Sequence, residues 1–144
     1  MIGQLMAATV GTVAFALLFG APRRYYPYCG LIGAAGWLLY LLLEKHMPVE
    51  GATFLATVLV ILLSRMFAIR KRCPVTIFII SGIIPLVPGA GIYWTAYYLV
   101  TDQFSEALGT GMTALKVAAA IVLGIVCVFE IPQRLFRIIM RRDV

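Results

Sequence analysis

Long apolar stretches alternate with short polar segments along the whole chain. Each stretch is close to or above the length of about 20 residues that an α-helix needs to cross a bilayer. The polar segments between them are too short to form a separate water-soluble domain. The pattern therefore predicts a single all-α membrane domain, residues 1–144, with five transmembrane helices. Their approximate bounds are 2–20, 28–43, 51–69, 75–100 and 110–129, followed by a tail at 130–144.

The fourth stretch contains residues that interrupt a helix. Val75–Val100 has no charged residue, yet Pro85 and Pro88 lie in its middle and are followed by Gly89 and Gly91. A proline removes a backbone donor and clashes with the preceding turn, whereas a glycine supplies backbone freedom. This PxxPGxG segment predicts that the fourth helix is broken. A continuous structural helix with a proline kink is the alternative.

A break of this kind predicts a binding site. Irregular backbone inside a membrane is tolerated only where protein buries it or where it lines a cavity, and discontinuous helices recur at the substrate sites of secondary transporters. The N–H groups that begin the second half-helix, near Gly91, act as about half a positive charge and suit a carboxylate. The carbonyls that end the first half, at 82–84, suit an ammonium group.

Side chains near the break and on the fifth helix extend this candidate site. Ser81 and Tyr93 flank the break, and Lys116 is the one clear ionisable residue inside a span, where a lysine costs about 3 kcal/mol. Tyr93 in an aromatic belt and Lys116 extended towards the outer headgroups are the alternatives. Arg65 lies near the end of the third span, and its side chain is expected to extend towards the headgroups. The candidate substrate-binding residues are Ser81, Pro85, Pro88, Gly89, Gly91, Tyr93 and Lys116.

Composition agrees with a membrane protein. The chain is 62% hydrophobic and 12% charged, whereas a soluble domain carries about 25% charged residues. The net charge of +6 lies beside the apolar spans, so it indicates membrane orientation and lipid headgroups rather than nucleic acid.

The distribution of basic residues predicts the orientation. Nine basic residues lie after spans one and three and in the tail, and only Lys45 lies after spans two and four. Because basic loops stay in the cytoplasm, we expect a multi-pass protein of the cell (plasma or inner) membrane with its N-terminus outside and its C-terminus in the cytoplasm. The nine are Arg23, Arg24, Arg70, Lys71, Arg72, Arg134, Arg137, Arg141 and Arg142.

The tail combines basic and apolar residues. Its segment IPQRLFRIIMRR places Leu135, Ile138 and Ile139 on one helical face. A basic amphipathic segment next to a span is typical of an interfacial helix on the anionic cytoplasmic leaflet. Simple anchoring of the topology is the alternative.

Nothing in the chain forms a catalytic or metal-binding set. His46 is the single histidine, and Cys29, Cys73 and Cys127 have no metal-ligand spacing. A nucleophile would need a base within reach, and a metal site would need clustered Cys, His or carboxylate ligands. We therefore expect no enzymatic activity, no metal and no cofactor.

The region around the break resembles a known family. The segment PLVPGAGIY at 85–93, the acidic turn at Asp102, Ala114-Leu115 and the segment AIVLG at 120–124 are similar to the threonine/serine exporter family. The similarity is to its compact membrane component, which corresponds to the C-terminal half of the full-length exporter. It is carried by residues 75–129, and the first three spans match through their pattern alone. In that family the other half is a second five-span bundle, fused or encoded separately.

The resemblance implies one half of a two-component export transporter. Its substrate would be a small carboxylate, with threonine or serine favoured and succinate-like dicarboxylates second, and its coupling would be to the proton motive force. The implied partners are the lipid bilayer and a second five-span protein of the same family, a second copy of the chain, or both. A non-transporting subunit that assembles or stabilises a membrane partner is the remaining alternative.

Overall fold

The computed structural model describes residues 2–132, and within them all regular secondary structure is helical. The all-α prediction is thus confirmed for this part of the chain. Short 3-10 turns precede α2 at Arg23–Tyr25 and follow α4 at Ile84–Leu86. The α-helices are α1 Ile2–Leu18, α2 Tyr26–Leu43, α3 Val49–Lys71, α4 Thr76–Ile83, α5 Gly89–Val100 and α6 Phe104–Phe129.

Three helical segments among the described residues are long and apolar enough to cross a membrane, namely Arg23–Leu43, Val49–Lys71 and Phe104–Phe129. The segments Thr76–Leu86 and Gly89–Val100 qualify only as a pair, with a bend of 50° between them. Helix α1 has 17 residues, about 25 Å at 1.5 Å per residue, which is shorter than a hydrocarbon core of about 30 Å. Five crossings therefore stay a prediction.

Three helices begin earlier than expected, and for α3 the start is Val49 instead of residue 51. Helix α2 starts at Tyr26 because Pro27 is accepted in a first helical turn, where its missing N–H has no partner to lose. Helix α6 starts at Phe104 instead of residue 110. Glu106 in its first turn interacts favourably with the positive end of the helix dipole. Residues 101–109, which the predicted bounds place in a loop between the fourth and fifth spans, are thus largely helical.

Small residues set the distances between the packed helices. A methyl group built on Gly33 of α2 would lie 2.8 Å from the Thr12 Cβ of α1, and one built on Gly82 of α4 would lie 2.8 Å from the Ile32 Cγ2 of α2. Gly36 approaches the Val60 Cγ2 of α3 more closely still. Such glycines let helix backbones come together in a membrane, where packing is the main source of association.

Helices α3 and α6 lie side by side and run in the same direction. Gly124 packs on Thr57, with an added methyl 3.0 Å from the Thr57 Cβ, and further along both helices Arg65 reaches Val128. Helix α6 therefore ends beside the end of α3, near which α4 begins. Helix α6 begins at the opposite end of the bundle. Since α4 starts near the end of α3 and α5 leads into the start of α6, the α4–α5 pair connects the two ends.

Arg65 is buried rather than extended towards headgroups. It is 6% exposed, its guanidinium donates a hydrogen bond to the Val128 carbonyl, and it lies 5.6 Å from the centre of the Phe129 ring. The carbonyls at the end of a helix lack intrahelical partners and favour a cation. The sequence interpretation of Arg65 was wrong because it ignored the neighbouring end of α6. The predicted amphipathic tail segment, from residue 133 onwards, lies outside the described residues.

Candidate functional site

A cavity of about 500 Å³ lies against the interrupted α4–α5 segment. Its walls come from the end of α2, the beginning of α3, the segment Pro85–Gly91 with Trp94 of α5, and the first four turns of α6. All of these parts meet at the end of the bundle where α3 and α6 begin. The volume falls within the range of about 300–1,000 Å³ that is typical of small-molecule sites.

The prolines account for the local backbone that forms one wall. Pro85 lies in the 3-10 turn that ends α4. Val87 is extended, with φ −63° and ψ 132°, as expected for a residue that precedes a proline. Helix α5 then starts directly after Pro88. The chain thus leaves one helix and enters another within a few residues.

The beginning of α5 presents free backbone donors to this cavity. No side chain from residues 2–132 caps the helix. The N–H of Gly89 bonds the Val87 carbonyl at 2.8 Å and that of Ile92 bonds the Pro88 carbonyl at 3.1 Å, whereas those of Ala90 and Gly91 have no partner within residues 2–132. Ala90 and Gly91 both line the cavity. A helix start with unpaired N–H groups is electrostatically positive and suits an anion.

Polar side chains complete the lining. The hydroxyls of Thr53, Thr110 and Thr113 each donate to a carbonyl of their own helix, at 2.8 to 3.0 Å, and keep acceptor capacity. The Nε1–H of Trp37 is buried and has no hydrogen-bond partner within the described part of the chain. Glu106 adds a carboxylate. Among residues 2–132 no group of three His, Cys, Asp or Glu is placed to hold a metal ion.

Four of the seven candidate residues meet at this cavity: Pro85, Pro88, Gly89 and Gly91. The other three lie outside its lining. Ser81 is buried against its own helix, where its hydroxyl donates to the Ile77 carbonyl at 3.0 Å, and it borders a smaller cavity of about 170 Å³ beside α1. Tyr93 is 62% exposed, and Lys116 is exposed on α6. For these three residues a substrate contact stays a prediction.

The two glycines at the break differ in their surroundings. A methyl group on Gly89 would meet no atom within 4 Å, so this residue leaves open space on the cavity wall. A methyl group on Gly91 would lie 3.2 Å from the Ala114 Cβ. Gly91 therefore also serves the close contact between α5 and α6.

Sequence reasoning missed the cavity residues contributed by α2 and α6, namely Trp37, Tyr40, Glu106, Thr110 and Thr113. A signal existed for α6. Glu106, Thr110 and Thr113 are spaced by four and three residues and share a helical face with Val117. The signal was overlooked because residues 101–109 were interpreted as a loop. Trp37 and Tyr40 carried no comparable signal.

Comparison with known proteins identifies one family and one curated relative. A family model described as Threonine/Serine exporter, ThrE, matches residues 4–131. An uncharacterized protein of Haemophilus influenzae is 31% identical over 138 residues, which cover 92% of this chain and 46% of the relative. The chain spans about half the length of this curated relative. No solved structure matches this chain.

Proposed function

Since the chain belongs to the threonine/serine exporter family, we propose that it is a membrane subunit of a secondary transporter and that it exports threonine or serine. The observation that carries this proposal is the cavity at the broken helix, where the free N–H groups of Ala90 and Gly91 form one wall. A substrate carboxylate bound there would receive two backbone hydrogen bonds and the field of the helix start.

The threonine side chains around the cavity suit a hydroxylated substrate. Thr53, Thr110 and Thr113 can accept hydrogen bonds, because each hydroxyl already uses its proton within its own helix. A serine or threonine hydroxyl both donates and accepts, so it matches such a lining better than an aliphatic side chain does.

Labelled efflux tests this function. Cells preloaded with labelled threonine should lose it faster when they produce the chain together with its partner half than when they lack the chain. Accelerated efflux of succinate with unchanged threonine efflux would instead assign a dicarboxylate exporter. If the chain only stabilises the partner, the partner supplied at normal abundance should export without it.

The proposed orientation has five crossings, with the N-terminus outside and the C-terminus in the cytoplasm. Support comes from the excess of basic residues on one side and from the parallel course of α3 and α6, which requires the α4–α5 pair to connect opposite ends of the bundle. Cysteines introduced at Glu50 and Gln103 should react with an impermeant reagent in intact cells, and a tag at Val144 should be cytoplasmic. Labelling of both cysteines only after permeabilisation would contradict this arrangement.

We also propose that a second membrane bundle, either the family's other half or a second copy, packs against the chain. The relative is about twice as long, and α5 has no buried residue, so a large part of its surface is available to a partner. In mild detergent the assembly should therefore have a protein mass well above the 15.8 kDa of one chain. A single 15.8 kDa species that still exports would rule out the proposed partner bundle.

A further inference from the structure

The cavity has walls of opposite electrostatic character. The start of α5 supplies unpaired N–H groups at Ala90 and Gly91. Among the described residues that line the cavity, Glu106 is the only charged one. The site thus offers one place for an anion and one for a cation.

Apart from its favourable position at the start of α6, the Glu106 carboxylate has no partner within the described part of the chain. It forms no hydrogen bond or ion pair with any side chain within residues 2–132, and the residue is exposed. Its backbone carbonyl, in contrast, accepts the Thr110 hydroxyl at 2.9 Å, which ties this turn of α6 to the cavity wall. A free carboxylate acceptor at the cavity is available for a cationic group of a ligand.

We propose that Glu106 binds the α-ammonium group of the substrate and thereby makes the cavity selective for amino acids over acids that lack an amino group. This inference rests on the proposed function. In an amino acid the carboxylate and the ammonium are attached to one carbon atom, so both can be met by facing walls of a single small cavity. The backbone carbonyls at 82–84, which the sequence suggested for the ammonium, lie outside the lining.

The same residue disfavours dicarboxylates. If one carboxylate of succinate occupied the start of α5, the second would lie in a cavity where the only charged side chain among the described lining residues is another carboxylate. Specificity commonly arises from such a repulsive contact with the wrong ligand as much as from attraction to the right one. Glu106 therefore favours amino acids over dicarboxylates, the two substrate classes that the sequence did not distinguish.

Intrinsic fluorescence measures this selectivity directly. The chain has two tryptophans, and both, Trp37 and Trp94, line the cavity. The full chain in lipid nanodiscs is titrated with serine and with glycerate, which replaces the ammonium by a hydroxyl and keeps the rest. We expect serine to bind at least about tenfold more tightly than glycerate, as for one charge-assisted hydrogen bond.

The decisive variant is Glu106→Gln. It should weaken serine binding by about tenfold or more, leave glycerate binding unchanged and so abolish the preference, whereas Glu106→Asp should keep part of it. Asp102→Asn is the matched control, because it removes a carboxylate at the same end of the bundle but outside the lining, and asparagine tolerates the left-handed backbone of Asp102, φ 57°. It should behave as the unaltered chain. Thermal denaturation of each variant checks that the fold is kept.

Either of two results with the variants would overturn the role of Glu106. One is serine binding by Glu106→Gln at the affinity of the unaltered chain, and the other is an equal loss in Asp102→Asn. Serine and glycerate bound equally by the unaltered chain would also reject it while leaving the carboxylate site intact. No response of the unaltered chain to either compound would reject the proposed function itself, and this inference with it.

Discussion

Replacement of Gly89 by leucine is expected to reduce export to the level of cells that lack the chain, with normal protein abundance in the membrane. A side chain at this position meets no atom within 4 Å at its Cβ, so it can be added without displacing a helix. Because Gly89 lines the cavity, the added isobutyl group would occupy the proposed substrate space in front of the start of α5. Labelled threonine efflux and immunoblotting of membranes measure the two quantities.

Two further variants separate cavity filling from a general effect of glycine replacement. Gly89→Ala adds one methyl group and should weaken export less than leucine does. Gly3 of α1 is equally free of neighbours within 4 Å and lies outside the cavity, so Gly3→Leu should export normally. Normal export by Gly89→Leu would mean that the break in the fourth span is architecture only.

Replacement of Gly33 by alanine is expected to destabilise the protein strongly. The new Cβ would lie 2.8 Å from the Thr12 Cβ and closer still to its hydroxyl, and Thr12 is fully buried between α1 and α2. Neither helix can yield without opening the contact. Overpacking of this kind typically costs about 1–3 kcal/mol. The midpoint of thermal denaturation in detergent should fall accordingly.

The neighbouring residues supply the controls for this prediction. Gly11→Ala, one residue before Thr12, adds a methyl group that meets nothing within 4 Å and should leave the midpoint unchanged. Thr12→Ala removes the hydroxyl and the Cγ2 methyl that clash and keeps only the Cβ contact. The double variant with Gly33→Ala should therefore recover part of the loss, which a double-mutant cycle quantifies. An unchanged midpoint in Gly33→Ala alone would show that α1 does not pack on α2 as described.

The sequence could predict the break because its causes are local. Pro85 and Pro88 restrict the backbone wherever they occur, and the glycines that follow permit the new helix to start there. The position of the cavity depends instead on which helices flank the break. That α2 and α6 supply Trp37 and Glu106 follows from tertiary packing, which no local pattern encodes.

Charged residues in apolar segments were harder to interpret. The cost of burying Lys116 indicated a functional position, but whether it faces the cavity depends on the rotation of α6. Its neighbour Val117 lines the cavity, and one residue changes the direction of a side chain by about 100° in a helix. Arg65 was misinterpreted for a related reason, since its partner carbonyl belongs to a helix distant in sequence.

Substrate protection of a cysteine in the cavity tests the central claim most directly. Thr113→Cys, on the cavity wall, is introduced into a chain whose Cys29, Cys73 and Cys127 are replaced and which still exports threonine. Gln103→Cys serves as the control at the same end of the bundle but outside the lining. We predict that threonine slows the reaction of residue 113 with a small water-soluble thiol reagent, at the concentrations that saturate efflux, and leaves residue 103 unaffected. Equal reaction rates at residue 113 with and without threonine, in a chain that exports it, would contradict a substrate site at the broken helix.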